Sequence, residues 1–281
     1  MVLKSLGEAF GYLGKNPLVW TPGVAAAGII LIGYLLFQQI GILTASAVVF
    51  VLLFILPFLL AGVYGIISEE TGSFSVFRHY AVTGYFRCLL PILLTFLLAY
   101  LVSQFITYLL MLMGMSLMSA ANIAMFIFIP VVFFCYFADV TAVVNDLRMF
   151  QSLKDSALRV MNGSFSIAVF YLVNVGILIA GSFAALFLWA ALAADELFPL
   201  TQMTQEELLA MTQDELLAMM TSPEVVFASA VTLAVCALIL VPLFTVYKAC
   251  YFKRTSPFLM AAAPSETEGE YDEKGRWYKY T

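Results

Sequence analysis

One acidic residue, Asp139, lies within an apolar stretch of the sequence. A carboxylate at membrane depth is costly and by default suggests function, so Asp139 is a candidate member of a proton or cation pathway. The alternative is structural, with Asp139 forming an ion pair with Arg148 or Arg87. Gln104 and Asn174 are the other candidate members of an intramembrane polar site, although hydrogen bonds between helices would also explain them.

The remaining reactive side chains predict that the protein is not an enzyme. The chain has one histidine, His79, and four cysteines, with no Cys/His spacing typical of a metal site and no Gly-rich phosphate loop. We therefore predict no catalytic residue, no metal and no cofactor. Cys135 and Cys236 are interpreted as small apolar side chains within helices. Cys88 and Cys250 are expected near one membrane interface, where acylation is the alternative to packing.

Composition indicates the class of protein that carries these residues. Hydrophobic residues make up 63% of the chain and charged residues only 11%, whereas soluble domains have about 25% charged residues. The net charge of −5 gives no reason to expect nucleic-acid binding. Six stretches reach the ~20 residues that a membrane-spanning helix needs. They predict an all-α, polytopic membrane helix bundle, with spans at about 18–37, 42–67, 88–113, 122–144, 165–194 and 225–247.

The Lys and Arg residues predict the orientation of the bundle. All thirteen lie before the first span, after the last span, or in the connections that follow the second and fourth spans. Short connections rich in Lys and Arg stay in the cytoplasm. Both termini are therefore predicted on the cytoplasmic side of the cell membrane. The bases expected at the inner interface are Lys15, Arg78, Arg87, Arg148, Lys154 and Arg159.

A short segment of mixed polarity precedes every second span, at 5–10, 74–80 and 150–157. Segments of this kind, lying beside bases, suit helices in the plane of the membrane interface. The chain is thus predicted to form three hairpins of transmembrane helices, each preceded by a short interfacial amphipathic helix.

The second, fourth and sixth spans each contain a proline, at Pro57, Pro130 and Pro242. Proline removes a backbone hydrogen bond and clashes with the carbonyl four residues earlier, so each of these helices is predicted to kink at an equivalent depth. Equivalent prolines in internal repeats also point to binding sites in transporters, and that alternative stays open. A tyrosine follows each proline, at Tyr64, Tyr136 and Tyr247.

Two regions depart from the threefold pattern. Residues 195–224 form an acidic outer insertion with a tandem eight-residue repeat at 203–210 and 211–218, whose leucines predict an amphipathic helix. We interpret it as a cap on the bundle, with docking of a protein partner as the alternative. The six-span domain is assigned to 1–252. The charged tail, 253–281, is predicted to be cytoplasmic and disordered, with contact to a partner or to the membrane surface as an alternative.

The segment before the fifth span resembles one in a broad family of six-span prokaryotic, archaeal-type membrane proteins of unknown function. The matching positions are Asp146, Leu153, Lys154, Ser156, Arg159, Gly163 and Phe165, together with the N-terminal sequence Lys15-Asn16-Pro17. That family is similar to the membrane domain found beside glycerophosphodiester phosphodiesterase barrels. The resemblance implies the architecture, and no catalytic residue, because the barrel that performs the hydrolysis is absent from this chain.

Together these features predict a non-enzymatic integral membrane protein that interacts with membrane lipids or with another protein, as a scaffold or accessory subunit. A protein partner would use the 195–224 segment or the C-terminal tail. The alternative is a small-solute or ion transporter with Asp139 and the kinked helices near its pathway.

Overall fold

The computed structural model describes residues 1–40, 43–203, 212, 221–262, 269–271 and 277–279. Within these residues, six helical segments are long and apolar enough to cross a membrane, which confirms the predicted all-α bundle. They are α2 (Thr21–Ile40), α3 (Leu43–Glu69), α5 (Tyr85–Leu112), the successive helices α6 (Leu117–Cys135) and α7 (Ala138–Val144), α9 (Ser164–Leu192) and α11 (Pro223–Ala262). The chain is a multi-pass membrane protein.

A shorter helix precedes each hairpin, as predicted. These are α1 (Val2–Lys15), α4 (Phe74–Thr83) and α8 (Met149–Asn162). The remaining short helix, α10 (Ala194–Gln202), covers the start of the acidic insertion. Most of the amphipathic helix predicted in that insertion, at 204–211 and 213–220, lies outside the described residues.

The three prolines lie inside α3, α6 and α11. Pro242 leaves the carbonyl of Leu238, four residues earlier, without its usual N–H donor. Gly23 on α2 lies against this carbonyl, since a Cβ on Gly23 would fall only 2.4 Å from its oxygen. The missing side chain therefore allows α2 to cross α11 closely beside the proline. The kinks themselves stay a prediction.

The buried core lies at one end of the bundle, which we call the basic end and define by α1, α4, α8 and residues 248–256 of α11. Its largest fully buried side chains are Tyr64, Tyr247, Tyr251, Phe137, Phe170 and Phe252. Toward the opposite end the spans expose their apolar side chains, and the most apolar window of α9 contains no buried residue. Lipid tails are as apolar as these side chains, so the exposed surface suits a bilayer.

The last helix is longer than predicted. It continues through Ala262, beyond the expected domain boundary at 252, because Lys253 and Ser256 are held by hydrogen bonds to neighbouring elements. Residues 253–262, which were assigned to the charged tail, thus continue the last helix, and disorder of the tail stays a prediction. Two short strands of the tail, β1 (Gly269–Tyr271) and β2 (Trp277–Lys279), pair in antiparallel orientation. The rest of the tail lies outside the described residues.

Candidate functional site

The fourth span is interrupted between α6 and α7, where Tyr136 and Phe137 leave the helix. Backbone groups released inside a membrane must find new partners. Ser156, fully buried on α8, supplies two of them. Its hydroxyl donates to the Phe134 carbonyl at 2.7 Å and accepts from the Phe137 N–H at 3.1 Å. The interfacial helix α8 thus stabilises the break in the span.

Asp139 lies in the first turn of α7, directly after the break, and is 6% exposed. The Lys248 ammonium group, on α11, donates to both carboxylate oxygens, at 2.9 and 2.6 Å. Tyr64, on α3, donates its hydroxyl hydrogen to Asp139 Oδ2 at 2.7 Å. The three side chains are buried, so the structure pairs the intramembrane carboxylate with a base and a hydroxyl.

Two of the tyrosines that follow the prolines, Tyr64 and Tyr136, lie beside this ion pair. The Lys248 ammonium lies 5.4 Å from the centre of the Tyr64 ring and 4.9 Å from that of Tyr136, within range of attraction between a cation and an aromatic face. Tyr247 directly precedes Lys248 and is fully buried. The second, fourth and sixth spans therefore converge on one charged cluster, which we call the Asp139–Lys248–Tyr64 cluster.

The predicted ion pair of Asp139 with Arg148 or Arg87 is wrong. Arg87 pairs instead with Asp146 at the surface, and the Arg148 side chain is exposed. The physical reason is the burial of α7: Asp139 lies in a run, 138–143, that is buried throughout, and both arginines lie outside it. Lys248 was not among the predicted partners of Asp139. The sequence signal that could have identified Lys248 is its position directly after Tyr247, the tyrosine that follows the third proline.

The structure does not bring the other two candidate polar residues to this cluster. Gln104 is exposed on the outside of α5. Asn174 is half-buried on α9 and donates to the carbonyl of Phe170 in its own helix at 2.8 Å. Its amide oxygen is buried with no hydrogen-bond partner among the described residues. The predicted three-residue polar site is therefore wrong as a unit, and only Asp139 lies in the charged cluster.

A cavity of about 140 Å³ adjoins Asp139 and Lys248. Pro91 and Thr95 of α5 and Cys135 of α6 form part of its wall. Both carboxylate oxygens of Asp139 already accept hydrogen bonds, so the cavity presents a neutralised ion pair. This arrangement suits a structural role better than a free charge on an ion pathway.

A second contact of α11 lies at the end of α3. Lys253 donates to the carbonyls of Ile67 and Ser68 at 3.0 and 2.9 Å, and to Glu70 Oε1 at 2.8 Å. The last carbonyls of a helix lack donors within the helix, so Lys253 satisfies two of them. Its hydrogen bond and positive charge lower the pKa of Glu70. Glu70 has a left-handed φ of 54°, which for a residue with a side chain costs roughly 1–2 kcal/mol.

Arg159 was predicted to lie at the inner membrane interface, but the structure places it inside the protein. It is 5% exposed and its Nε donates to Asp155 Oδ2, 2.6 Å away on the same helix. Its Nη1 donates to Ser256 Oγ at 3.0 Å, and its guanidinium carbon lies 4.2 Å from the centre of the Phe252 ring. Arg159 therefore joins α8 to α11 inside the protein and does not face lipid headgroups.

The other predicted interfacial bases remain on the surface. Lys15, Arg78, Arg148 and Lys154 are exposed and form no ion pair within the part of the chain that the structure describes. Large apolar side chains are exposed on the same short helices. They are Leu3 and Phe10 on α1, Phe74 and Val82 on α4, and Phe150 and Met161 on α8. Each of the three helices thus presents unpaired positive charge beside apolar surface.

The cysteines do not offer an acylation site at this end. Cys88 and Cys250 are both buried, so neither thiol is available to a lipid-transferring enzyme. Acylation of Cys88 and Cys250 is therefore not expected. Cys135 and Cys236 are partly buried within helices, as predicted.

A protein-family model described as a domain of unknown function, DUF7847, matches residues 1–255. The matched range includes the Asp139–Lys248–Tyr64 cluster and the Lys253 contact. Neither the comparison with curated proteins nor the comparison with solved structures returns a match.

Proposed function

The chain belongs to the family of unknown function DUF7847, and we propose that it is a non-enzymatic integral membrane protein that binds lipids at its basic end. The proposal places the basic end on the cytoplasmic side of the cell membrane, because short segments rich in Lys and Arg stay there. A scaffold or accessory role follows, with a protein partner reached through 195–224 or the tail. The relation to the membrane domains beside glycerophosphodiester phosphodiesterase barrels, and an archaeal-type origin, remain predictions.

The observation that supports this proposal most is the pairing of free bases with exposed apolar side chains on α1, α4 and α8. Such surfaces suit the boundary between headgroups and acyl chains. Each base near an anionic membrane surface contributes about 1 kcal/mol of attraction. The buried charges Asp139, Lys248 and Arg159 are already paired within the bundle. The external bases are therefore the ones left to recognise lipid.

Neutralising the external bases tests this function. We expect the variant Arg78→Gln/Arg148→Gln/Lys154→Gln to retain at least about tenfold less phosphatidylglycerol than wild type, since three attractive charges of about 1 kcal/mol each are lost. Native mass spectrometry of protein released from nanodiscs of phosphatidylglycerol and phosphatidylcholine measures the retained lipid. The matched control, Asp195→Asn/Glu196→Gln/Glu224→Gln, changes three charges at the opposite end of the bundle and should retain lipid as wild type does. Equal retention by both variants and wild type would count against the proposal.

Transport is the second candidate function, because a cavity reaches Asp139 and Lys248. It requires the ion pair to open during a transport cycle. In proteoliposomes, we expect wild type to give background flux of protons, sodium ions and small neutral solutes, unchanged in Asp139→Asn. A flux that exceeds that of empty liposomes and disappears in Asp139→Asn would favour transport over the lipid-binding function.

A further inference from the structure

An open cavity of about 500 Å³ lies at the basic end between α1 and the connection from α3 to α4. Its wall includes Glu8, Gly11, Tyr12, Lys15, Asn16 and Gly72. It therefore lies at the Lys15-Asn16-Pro17 sequence noted above. The Asp139–Lys248–Tyr64 cluster and the surface bases of α4 and α8 do not explain the function of this sequence.

Asn16, a mostly buried residue, contributes an amide donor to this cavity. The residue is 8% exposed, and its Oδ1 accepts a hydrogen bond from the Leu18 N–H at 3.0 Å, which caps the short 3-10 turn Pro17–Trp20. Its Nδ2 has no hydrogen-bond partner among the described residues. A Cβ on Gly72 would fall 3.2 Å from Nδ2, so the glycine keeps a side chain away from this amide. The amide nitrogen is thus free to donate to an acceptor in the cavity.

Two further donors line the same cavity. Lys15 is exposed without an ion-pair partner in the described chain. The Tyr12 hydroxyl likewise forms no hydrogen bond there, and burial, followed by the nearby Cys250, Glu70 and Glu8, raises its pKa. The hydroxyl therefore stays protonated and can donate.

Among the described residues of the wall, Glu8 is the one carboxylate, and it does not oppose an anion. Glu8 forms an ion pair with Arg254 of α11, and Lys15 remains as an unbalanced positive charge. A neighbouring cavity of about 420 Å³ shares Glu8 and Tyr12 as a common wall. Gly11 has no atom within 4 Å of the place where its Cβ would be. Space is thus open at Gly11, and the preceding residue of α1, Phe10, is exposed.

We propose that this cavity binds a phosphate group, with Lys15, Asn16 and Tyr12 as donors to its oxygens. Three donors that line one cavity, one of them charged, match the several acceptor oxygens of a phosphate. The proposal rests on the lipid-binding function and assigns one ligand to it. The phosphate belongs either to a phospholipid headgroup, whose glycerol and chains would pass the exposed Phe10, or to free phosphate.

Binding is tested on the full chain in a phosphate-free maltoside detergent. The probes are inorganic phosphate, dioctanoyl phosphatidylglycerol and dioctanoylglycerol, the last lacking phosphate. Native mass spectrometry counts bound molecules and gives apparent affinities. We expect wild type to bind one phosphatidylglycerol and no dioctanoylglycerol. Binding of inorganic phosphate that competes with the lipid would assign the site to free phosphate, whereas binding of the lipid alone would assign it to a headgroup.

Two variants examine the site without removing its structural contacts. Asn16→Asp keeps the oxygen that caps Pro17–Trp20 and replaces the donor with a negative charge. Gly11→Leu places a side chain in the wall of the cavity. A Cβ at this position meets no atom within 4 Å, and a non-glycine residue favours the helix. Asn16→Asp should weaken binding roughly tenfold or more, as expected when a hydrogen bond to a charged group is lost. Gly11→Leu should weaken it to a similar extent because its side chain occupies the space of the ligand. Lys4→Gln, which removes a base from the same helix outside the cavity, should bind as wild type.

Absence of binding to wild type, or equal binding by wild type, Asn16→Asp and Gly11→Leu, would overturn the proposal. Its failure is distinguishable from that of the lipid-binding function. The variant Arg78→Gln/Arg148→Gln/Lys154→Gln leaves this cavity intact. It can therefore lose the general enrichment of phosphatidylglycerol and still bind one phosphatidylglycerol molecule in the cavity.

Discussion

We expect Asp139→Asn to lower the free energy of unfolding by about 3–5 kcal/mol, the cost of leaving one member of a buried ion pair without its partner. The substitution keeps an oxygen that can accept from Tyr64, but it leaves the Lys248 ammonium buried without a countercharge. Steric trapping in lipid-detergent micelles measures the free energy of unfolding.

Two further variants separate the ion pair from general effects of the substitution. The double variant Asp139→Asn/Lys248→Met removes both charges and should recover much of the loss, because a neutral pair of similar size leaves no buried charge. Asp146→Asn removes the carboxylate of the exposed Arg87 pair and should cost less than about 1 kcal/mol. If Asp139→Asn costs no more than Asp146→Asn, the cluster does not stabilise the bundle.

The second large effect concerns Ser156. Ser156→Ala removes both the donor to the Phe134 carbonyl and the acceptor for the Phe137 N–H. Each buried group left unpaired costs about 1–3 kcal/mol, so for two groups we expect a loss of roughly 2–6 kcal/mol in the free energy of unfolding. The same steric-trapping assay applies.

Ser152 provides a matched control for this substitution. It is also fully buried on α8, but its hydroxyl donates only to the Met149 carbonyl of its own helix, at 2.8 Å. Ser152→Ala should therefore cost about 1 kcal/mol or less. Equal losses for the two alanine variants would show that Ser156 acts through packing alone and does not stabilise the break.

The break in the fourth span was not predictable from the local sequence. Tyr136 and Phe137 are neither proline nor glycine, and the apolar pattern of 122–144 predicts one continuous helix. Pro130 is the expected point of distortion, yet α6 continues past it to Cys135. The interruption depends on hydrogen bonds from Ser156 and from Tyr171, whose hydroxyl donates to the Phe133 carbonyl at 2.6 Å. Such hydrogen bonds between distant segments produce no periodic pattern in the sequence.

The partner of Asp139 shows a similar limit. The polarity pattern of the sequence places Asp139 in an apolar span, where a carboxylate needs a compensating charge. The choice between nearby Arg148 and distant Lys248 depends on how α7 packs against α11, 109 residues later in the chain. By contrast, the positions of α1, α4 and α8 were predictable, because their mixed polarity differs locally from that of the spans.

The lipid composition around the wild-type protein tests the central claim most directly. The protein is placed in nanodiscs with equal parts of phosphatidylglycerol and phosphatidylcholine, and native mass spectrometry measures the lipids retained at low and high salt. A lipid-binding basic end predicts that phosphatidylglycerol exceeds its bulk fraction and that the excess falls as salt screens the exposed bases. Retained lipid that matches the bulk composition at both salt concentrations would contradict it.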